Sequence, residues 1–511
     1  MVFDQNRATV YTIIIIGYAI QDTEEDAMPQ QCFIGIDQGS SSTKALALSV
    51  DGQVVFRTKK ALAPAFRDGL RVEHDPLAIL DSIREALDES VRYLRSAGIA
   101  ISGIGFACQR SSCLAWEEST GKPLTPVLSW RDTRGAEYVQ NLGASSQRIF
   151  ELTGLPLTPY YAASKFRWLK DHLPETRGPG VVFGTLSSFL CQRLTNADRA
   201  CIDHTNAART QLMNIHSCAW ENELLKLFGL TDIRLPDITP TLQNFGAIQV
   251  AEEKVPLLVC IGDQQAAMAG LGILEKGDGG INYGTGGFLM VNTGSSLVPA
   301  PGLMASIHYS TDNTRHYLLE GSVNAVGDSL EWFREQLHVF KDYAELDDLC
   351  WQAATDVVAF IGLNGTGSPH WERDLSSSIH GLTAASKPCD LVRSAVESIA
   401  FFMKDIAAVI GKAGLEPSSF SVSGGLASLS YLVQVQADIL GKDLLVSAEQ
   451  EVSALGAAFL AGLSLGVLSS ADIKKLVPQG EVVQARQNAG AEKRYRRWKE
   501  LHRMTKLLDE L

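Results

Sequence analysis

The chain has 511 residues, of which 45% are hydrophobic and 20% are charged, and its formal net charge is −13. This length exceeds what one hydrophobic core supports and predicts two large domains of about 200–250 residues each. The negative charge argues against nonspecific binding of nucleic acids or of anionic membranes, because the overall field repels both.

Nine cysteines are scattered along the chain, and no CxxC pair occurs among them. Disulfide frameworks and zinc sites need regular cysteine spacings. We therefore expect reduced, mostly buried thiols in a cytoplasmic protein. Cys201 and His204 lie three positions apart, but no second pair joins them to complete a metal site.

The first 27 residues differ from the rest of the chain. Their apolar run, Thr12–Ile20, is much shorter than the roughly 20 residues that cross a bilayer, and no small-residue cleavage site follows it. We expect residues 1–27 to be an N-terminal extension, poorly ordered, with Met28 as the natural start.

The stretch from Phe33 to Leu48 predicts a β-hairpin with a Gly/Ser tip. Small residues at the tip, Ser40, Ser41 and Ser42, let backbone N–H groups approach a phosphate closely, and Lys44 follows them. Asp37, at the end of the first strand, suits a hydrated Mg²⁺, which keeps several waters and few protein ligands. An ordinary surface turn has the same composition.

A second Gly/Thr turn between apolar runs, at Gly284–Gly287, gives this pattern more weight. Two such hairpins, one in each half of the chain, predict two lobes that hold one polyphosphate. The pair of turns therefore indicates ATP.

After the first hairpin, predicted strands and helices alternate. A strand over Ile101–Ala107 is followed by Arg110, and an apolar run over Leu124–Leu128 is followed by Trp130. Ligands of α/β sheets bind at such carboxyl ends, so both residues are candidates for a substrate pocket. The alternative is that they are a surface charge and a packed aromatic.

A further apolar strand, Val255–Ile261, ends at Gly262 and Asp263, and a helix of small residues begins there. This carboxylate is placed to act as a general base on an incoming hydroxyl, with Gln264 binding the substrate. The alternative is that Asp263 is only the N-cap of this helix, a position where aspartate is common.

We predict an N-terminal lobe over residues 28–272, a C-terminal lobe over 273–480 and a helical tail over 481–511. In the C-terminal lobe, a Gly-rich loop over Phe360–Trp371 precedes a helix from Asp390 to Ile410. A strand over Phe420–Val422 then opens into Gly424-Gly425 and a helix from Leu429. This turn suits nucleotide binding, although many Gly-Gly turns are purely structural.

Taken together, these motifs resemble the FGGY family of carbohydrate kinases, and the glycerol kinases within it most closely, from about Phe33 to Gly466. The motifs that carry the resemblance occur in the family's order: Asp37–Ser41, Thr120–Leu124, Thr153–Leu155 with Pro159-Tyr160, Phe183–Thr185, Asp203–Thr210, Gly262–Ala267, Tyr283–Gly286, Glu397–Ala400, Gln436–Gly441 and Ala454–Ala458.

The resemblance implies an α/β fold of two actin-like, ribonuclease-H-like lobes that close over ATP, Mg²⁺ and a small polyol or sugar. It implies that Asp263 is the catalytic base and that Asp37 and Asp263 lie on the side of the site that binds the metal. The other implied positions are a substrate pocket of Arg110, Ser111, Trp130, Tyr160 and Gln264, phosphate contacts at Ser40, Ser41, Ser42, Lys44, Gly284 and Thr285, and nucleotide contacts at Gly327, Glu331, Gly425 and Leu429.

Some of these positions depart from the family pattern. Glycerol kinases carry a glutamate where this chain has Ser111, and the loss of one hydrogen bond to a charged group costs roughly 1.5–3 kcal/mol. The space freed by the shorter side chain suits a longer substrate. Lys44 stands where glycerol kinases have arginine, and Glu331 and Leu429 replace polar amides near the adenine.

We therefore expect an ATP-dependent kinase that phosphorylates a primary hydroxyl, with glycerol as the leading substrate and a ketopentose or another polyol as the alternative. Two other possibilities share the fold: an actin-like ATPase used as a switch or filament, and a sensor without catalytic activity. We expect a homo-oligomer, a dimer or tetramer, that binds neither nucleic acid nor membrane.

Overall fold

The computed structural model describes residues 30–511 except 285, 325, 364 and 373. The predicted extension over residues 1–27 lies outside the described residues. Among the described helices, none combines the length and the apolar character that crossing a membrane requires.

The first half of the chain forms a lobe of many short strands around one long-stranded sheet. Its elements are β1 (Gln31–Gln38), β2 (Ser42–Ser49), β3 (Val54–Ala61), β4 (Phe66–Asp68), β5 (Arg71–His74), α1 (Pro76–Ser96), β6 (Ala100–Cys108), β7 (Cys113–Glu117), β8 (Lys122–Pro123), β9 (Val127–Leu128), α2 (Ala136–Asn141), α3 (Ser146–Thr153), α4 (Ala162–His172), β10 (Val181–Thr185), α5 (Leu186–Thr195), β11 (Cys201–Asp203), α6 (His204–Ala208), β12 (Met213–Asn214), β13 (Ala219–Trp220), α7 (Asn222–Leu227), β14 (Asp237–Thr239), β15 (Ala247–Val250), β16 (Glu253–Gly262) and α8 (Asp263–Gly270).

The second half contains fewer and longer elements. They are β17 (Gly279–Tyr283), β18 (Gly287–Gly294), β19 (Met304–Ser310), β20 (Arg315–Val323), α9 (Gly327–Glu335), α10 (Leu346–Gln352), β21 (Val358–Phe360), β22 (Ser378–His380), α11 (Pro388–Lys412), β23 (Ser419–Ser423), α12 (Ser430–Leu440), β24 (Asp443–Val446), α13 (Val452–Ser464), α14 (Ser470–Leu476), β25 (Val482–Val483) and α15 (Ala489–Asp509).

The two main sheets share one topology. The first has the order β15-β16-β6-β1-β2-β3 and the second β19-β20-β18-β17-β23-β24-β25. In the first sheet, β1 pairs with β2 in an antiparallel hairpin and with the parallel strand β6, which is followed by the parallel strand β16. In the second sheet, β17 pairs in the same way with β18 and with β23, which is followed by β24. The two hairpins predicted from the Gly-rich turns are confirmed, and each stands at the centre of its sheet.

The central strands are continuous apolar runs because helices cover both faces of the first sheet. Ile34 and Phe106 pack against side chains of α1 on one face. Phe33 and Ala107 pack against those of α13 on the other. Helix α8 packs with Met290 of the second sheet, so α8 and α13 lie between the two sheets.

Helices α8 and α13 approach each other at backbone distance. A Cβ added to Gly456 of α13 would lie 1.8 Å from the carbonyl oxygen of Ala266 in α8, and one added to Gly35 of β1 would lie 1.8 Å from that of Ala454. Only residues without a side chain permit such approach. Helix α13, which begins directly after Glu451, is therefore tightly packed against its neighbours.

The structure differs from the prediction in the start of one helix and in an additional sheet. The helix expected from Leu429 begins at Ser430, because a 3₁₀ turn over Gly425–Ser428 continues the Gly-Gly segment. A further sheet, β10-β7-β9-β5-β4, was not foreseen. Its strands are short, and the pairs β10–β7 and β5–β9 join distant parts of the chain, so no local alternation marks them.

Replacement of Gly456 by Ala tests the close packing of α8 and α13. We expect the free energy of unfolding to fall by about 1–3 kcal/mol, since the backbones must move apart to admit a methyl group. Chemical denaturation measures the change. Gly143→Ala is the control, because a Cβ there meets nothing within 4 Å; an equal loss in both variants would contradict the packing argument.

Candidate active site

Three parallel strands bring the predicted residues to one edge of the first sheet. Asp37 lies near the end of β1, opposite Ala107 of β6, and Gly262 at the end of β16 pairs with Cys108 of β6. Asp263 follows directly after β16, and Arg110 follows β6 after Gln109. The ends of β1, β6 and β16 therefore lie side by side at this edge.

Asp263 begins helix α8, and its carboxylate has both local and long-range partners. Its Oδ1 accepts a hydrogen bond of 2.8 Å from the backbone N–H of Gln264 and lies 3.5 Å from Nε of Arg110. Burial raises the pKa of Asp263, and the positive charge of Arg110 opposes this effect. The N-cap position itself is Gly262, so Asp263 is not merely a cap. A quarter of its side chain remains exposed, which leaves the carboxylate accessible.

Asp37 belongs to the same group of acids. Burial raises its pKa to about 7; the nearby Lys44 lowers it, while Asp263 and Glu451 raise it further. Carboxylates that repel one another in a half-buried cleft are the oxygen donor set that suits a hydrated divalent cation. The residues present therefore fit Mg²⁺ on this side of the site.

Arg110 is held by a glutamate from the other sheet. Glu320, on β20, accepts from Arg110 Nη1 and Nη2 at 3.1 and 3.0 Å, and also from Ser306 at 2.9 Å and from Arg209. Glu320 is fully buried. Although burial alone would raise its pKa, Arg110 and Arg209 lower it to about 2. This buried network holds the guanidinium beside Asp263.

Ser111 follows Arg110 and has a left-handed backbone, with φ of 64°. It is buried, and its Oγ lies 3.4 Å from the carbonyl oxygen of Arg209. Phe288 of β18 was not predicted, yet the guanidinium of Arg110 lies over its ring at 5.4 Å. These side chains surround Arg110 from both sheets.

A buried lysine, which was also not predicted, binds the backbone next to Trp130 and at Tyr160. Lys165 of α4 is fully buried, and its Nζ donates to the carbonyl oxygens of Ser129 and Tyr160 at 2.9 and 2.8 Å. Burial lowers the pKa of Lys165 to about 8. The backbone N–H of Trp130 donates to Ser112 Oγ at 3.0 Å, which links this loop to the Arg110 segment.

At the first hairpin tip, Ser40 and Ser41 are exposed, whereas Ser42 is buried at the start of β2. The N–H of Gly39 donates to the carbonyl of Ser42 at 3.0 Å and closes the turn. Lys44 stands opposite Asp37 in the ladder and forms an ion pair of 2.5 Å with Glu451. The tip is therefore open to a ligand while Lys44 is anchored behind it.

The second hairpin meets the Gly-Gly turn through Asn282. Its side-chain amide donates to Gln264 Oε1 at 3.0 Å, and its Oδ1 accepts from Ser423 Oγ at 3.4 Å. A Cβ on Gly424 would lie 2.2 Å from the carbonyl oxygen of Tyr283, so the two turns abut. Gly284 lies in this turn, and Thr285 lies outside the described residues.

The remaining predicted nucleotide contacts differ in accessibility. Gly327 begins α9, and Gly425 is exposed with open space around it. The Glu331 carboxylate is engaged by Arg334 and by the hydroxyl of Tyr343, each at 3.0 Å from Oε2. Leu429 packs in the core of the second lobe, so its side chain is directed to the interior.

Comparisons with known proteins point to one family. The N-terminal domain model of the FGGY family of carbohydrate kinases matches residues 32–270, and its C-terminal domain model matches residues 279–465. A glycerol kinase of Shewanella oneidensis is 34% identical over 461 residues, which cover 87% of this chain and 92% of that protein. A glycerol kinase of Marinomonas is 34% identical over 453 residues, or 86% and 91% of the two chains.

Solved structures show the same fold. The Plasmodium falciparum glycerol kinase with ADP superposes with a TM-score of 0.85 at 29% identity and covers 94% of this chain and 98% of that one. The xylulose kinase of Rhodospirillum rubrum has a TM-score of 0.83 at 23% identity, covering 94% and 99%. With its two actin-like domains and both domain models matched, the chain belongs to the FGGY family of carbohydrate kinases.

Proposed function

We propose that this ATP-dependent kinase phosphorylates a primary hydroxyl of a small polyol or sugar, with glycerol as the leading substrate. The observation that carries the proposal is the Asp263 carboxylate, which lies beside Arg110 at the sheet edge that also presents Asp37 and the first hairpin tip. The similarity to glycerol kinases over most of the chain supports glycerol as the first substrate to test.

In the proposed reaction, Asp263 accepts the proton of the substrate hydroxyl while that oxygen bonds to the γ-phosphorus of ATP, and the bond to the β–γ bridging oxygen breaks to release ADP. Arg110 and Gln264 hold the hydroxyls of the substrate. Mg²⁺, held on the side of Asp37 and Asp263, would supply charge neutralisation for the phosphates.

Closure of the lobes completes the proposed substrate site, because Arg110 of one lobe is held by a residue of the other. Arg110 belongs to the first lobe and its bidentate partner Glu320 to the second. The substrate site is thus complete only when the lobes are together, which excludes water and suppresses hydrolysis of ATP.

Ser111 supports a ketopentose or longer polyol as the alternative substrate. A glutamate at this position would place a carboxylate against the substrate hydroxyls, whereas Ser111 carries a short hydroxyl turned to the Arg209 carbonyl. The shorter side chain removes a charged acceptor that would favour a three-carbon polyol.

We also propose a lobe boundary between residues 272 and 273. Its support is the gap between the two matched domain models, which end at residue 270 and begin at residue 279.

Replacement of Asp263 by Asn tests the proposed base. We expect polyol-dependent ADP release to fall by at least about 10²–10⁴-fold, because an amide cannot accept the proton. A coupled assay measures ADP, and calorimetry should show that ATP still binds. Asp312→Asn, in an exposed turn, is the control. Near-normal turnover in Asp263→Asn would remove this residue from the mechanism.

A substrate panel of glycerol, xylulose and longer polyols, measured on wild type and Ser111→Glu, tests the pocket. We expect the glutamate to raise kcat/KM for glycerol relative to xylulose by on the order of 10- to 100-fold, the value of one hydrogen bond to a charged group. Ser111→Ala, which adds no charge, should leave that ratio nearly unchanged. A shift in favour of xylulose in the glutamate variant would contradict the proposed role of this position.

Lys165→Met tests whether the buried ammonium positions Trp130 and Tyr160. We expect KM for the polyol to rise about tenfold or more with little change in KM for ATP, because the two carbonyls held by Nζ lose their common donor. Lys170→Met on the same helix is the matched control, since its Nζ bonds to Gly229 and Asp232 instead. Equal changes in both KM values would indicate a general structural defect.

A further inference from the structure

Away from the active site, two histidines and two carboxylates converge where the C-terminal helix meets the second lobe. His370 and Glu372 lie in the Gly-rich segment between β21 and β22, and His502 lies on α15. Asp405 comes from α11. Phosphoryl transfer as proposed above uses none of these side chains.

The ligand atoms of His370, Glu372 and His502 all lie within 4.8 Å of one another. Nε2 of His502 is 2.6 Å from Oε2 of Glu372, and the two imidazole rings meet edge to face with centroids 4.5 Å apart. The three side chains are 23%, 18% and 12% exposed, in the order His370, Glu372, His502. They are thus shielded but reachable from solvent.

Neighbouring groups hold these side chains in place. The His502 ring stacks on Phe360 at 4.6 Å with an interplanar angle of 6°. His370 Nε2 lies 3.0 Å from Asp405 Oδ2, a carboxylate–histidine pair of the kind that orients imidazoles at metal sites. Thr366 exchanges two hydrogen bonds of 3.0 Å with the backbone of Glu372, one from its own N–H and one to its Oγ1. Little reorganisation is needed to bring three ligands onto one ion.

We propose that His370, Glu372 and His502 bind a divalent transition-metal ion of the Zn²⁺ type, with water completing the coordination. Two imidazoles with one carboxylate suit Zn²⁺, whereas Mg²⁺ and Ca²⁺ prefer oxygen ligands alone. The ion replaces the hydrogen bond between His502 and Glu372, and any proton shared there is released to solvent. Lys506, which donates to the other Glu372 oxygen at 2.9 Å, is half exposed and free to stay or to move outward.

Such an ion would join the C-terminal helix to the segment that supports the active site. In that segment, the N–H of Ser368 donates to the carbonyl of Ser322 at 2.7 Å. Ser322 lies on β20, the strand that carries Glu320. The metal therefore acts as a structural cross-link between α15 and the loop behind the substrate arginine, and not as part of phosphoryl transfer.

The test is titration of the full chain with ZnCl₂ by calorimetry, after EDTA treatment and in the presence of a metal-compatible reductant. We expect one high-affinity ion per chain, a rise in Tm on binding, and visible absorption bands when Co²⁺ replaces Zn²⁺. MgCl₂ should give no such signal at this site. His370→Gln and Glu372→Gln should each abolish the high-affinity event, and Asp405→Asn should weaken it on the order of 10- to 100-fold.

His216→Gln, which changes an exposed histidine elsewhere, is the matched control and should bind as the wild type does. Melting of each variant in EDTA establishes that it folds without the ion. His370 is replaced, and His502 is kept, because the His502 ring also stacks on Phe360 and its loss would disturb packing. Zn²⁺ binding by His370→Gln and Glu372→Gln with wild-type affinity would assign the ion to other residues, such as cysteines, and would overturn the proposal. Absence of a high-affinity event in the wild type would overturn it as well.

Discussion

Glu320 is the buried charge on which the substrate side of this protein depends. It is fully enclosed, and a carboxylate in such a place is tolerated only when its charge and lone pairs are compensated. Arg110 and Arg209 supply that compensation from the other lobe. The same contact that compensates the buried charge of Glu320 also fixes the guanidinium of Arg110 beside Asp263. The relative position of the lobes therefore sets the geometry of the candidate substrate pocket.

The two duplicated sheets and the helices between them explain why that arrangement is possible. Each sheet places its Gly-rich hairpin centrally, and α8 and α13 pack between the sheets through residues small enough for backbone contact. Helix α8 starts at Asp263 and α13 follows directly after Glu451, the ion-pair partner of Lys44. The close helix pair thereby connects Asp263, the proposed base, with the first hairpin, the proposed phosphate contact.

Much of the site was visible in the sequence because short-range chemistry marks it. Gly/Ser turns between apolar runs predict hairpin tips, and a polar residue directly after an apolar run predicts a strand end. Asp37, Arg110 and Asp263 were found in this way, and parallel strands bring such ends to one edge. Lys165, Asn282 and Phe288 carry no such mark: a lysine in an amphipathic helix or a phenylalanine in a strand has the same local pattern whether it supports a site or not.

The sequence by itself showed the resemblance to the family through its ordered motifs. It also marked the two hairpin tips and the residues that stand at strand ends, because hydrophobic periodicity and turn chemistry are local properties of a chain. Only the tertiary structure decided which groups meet. Arg110 and Glu320 are 210 positions apart. His370 lies between β21 and β22 and His502 lies on α15, and contacts with Asp405 of α11 and Phe360 of β21 hold the two rings in place. Partnerships of this kind arise from the packing of sheets and helices, and no spacing along the chain encodes them.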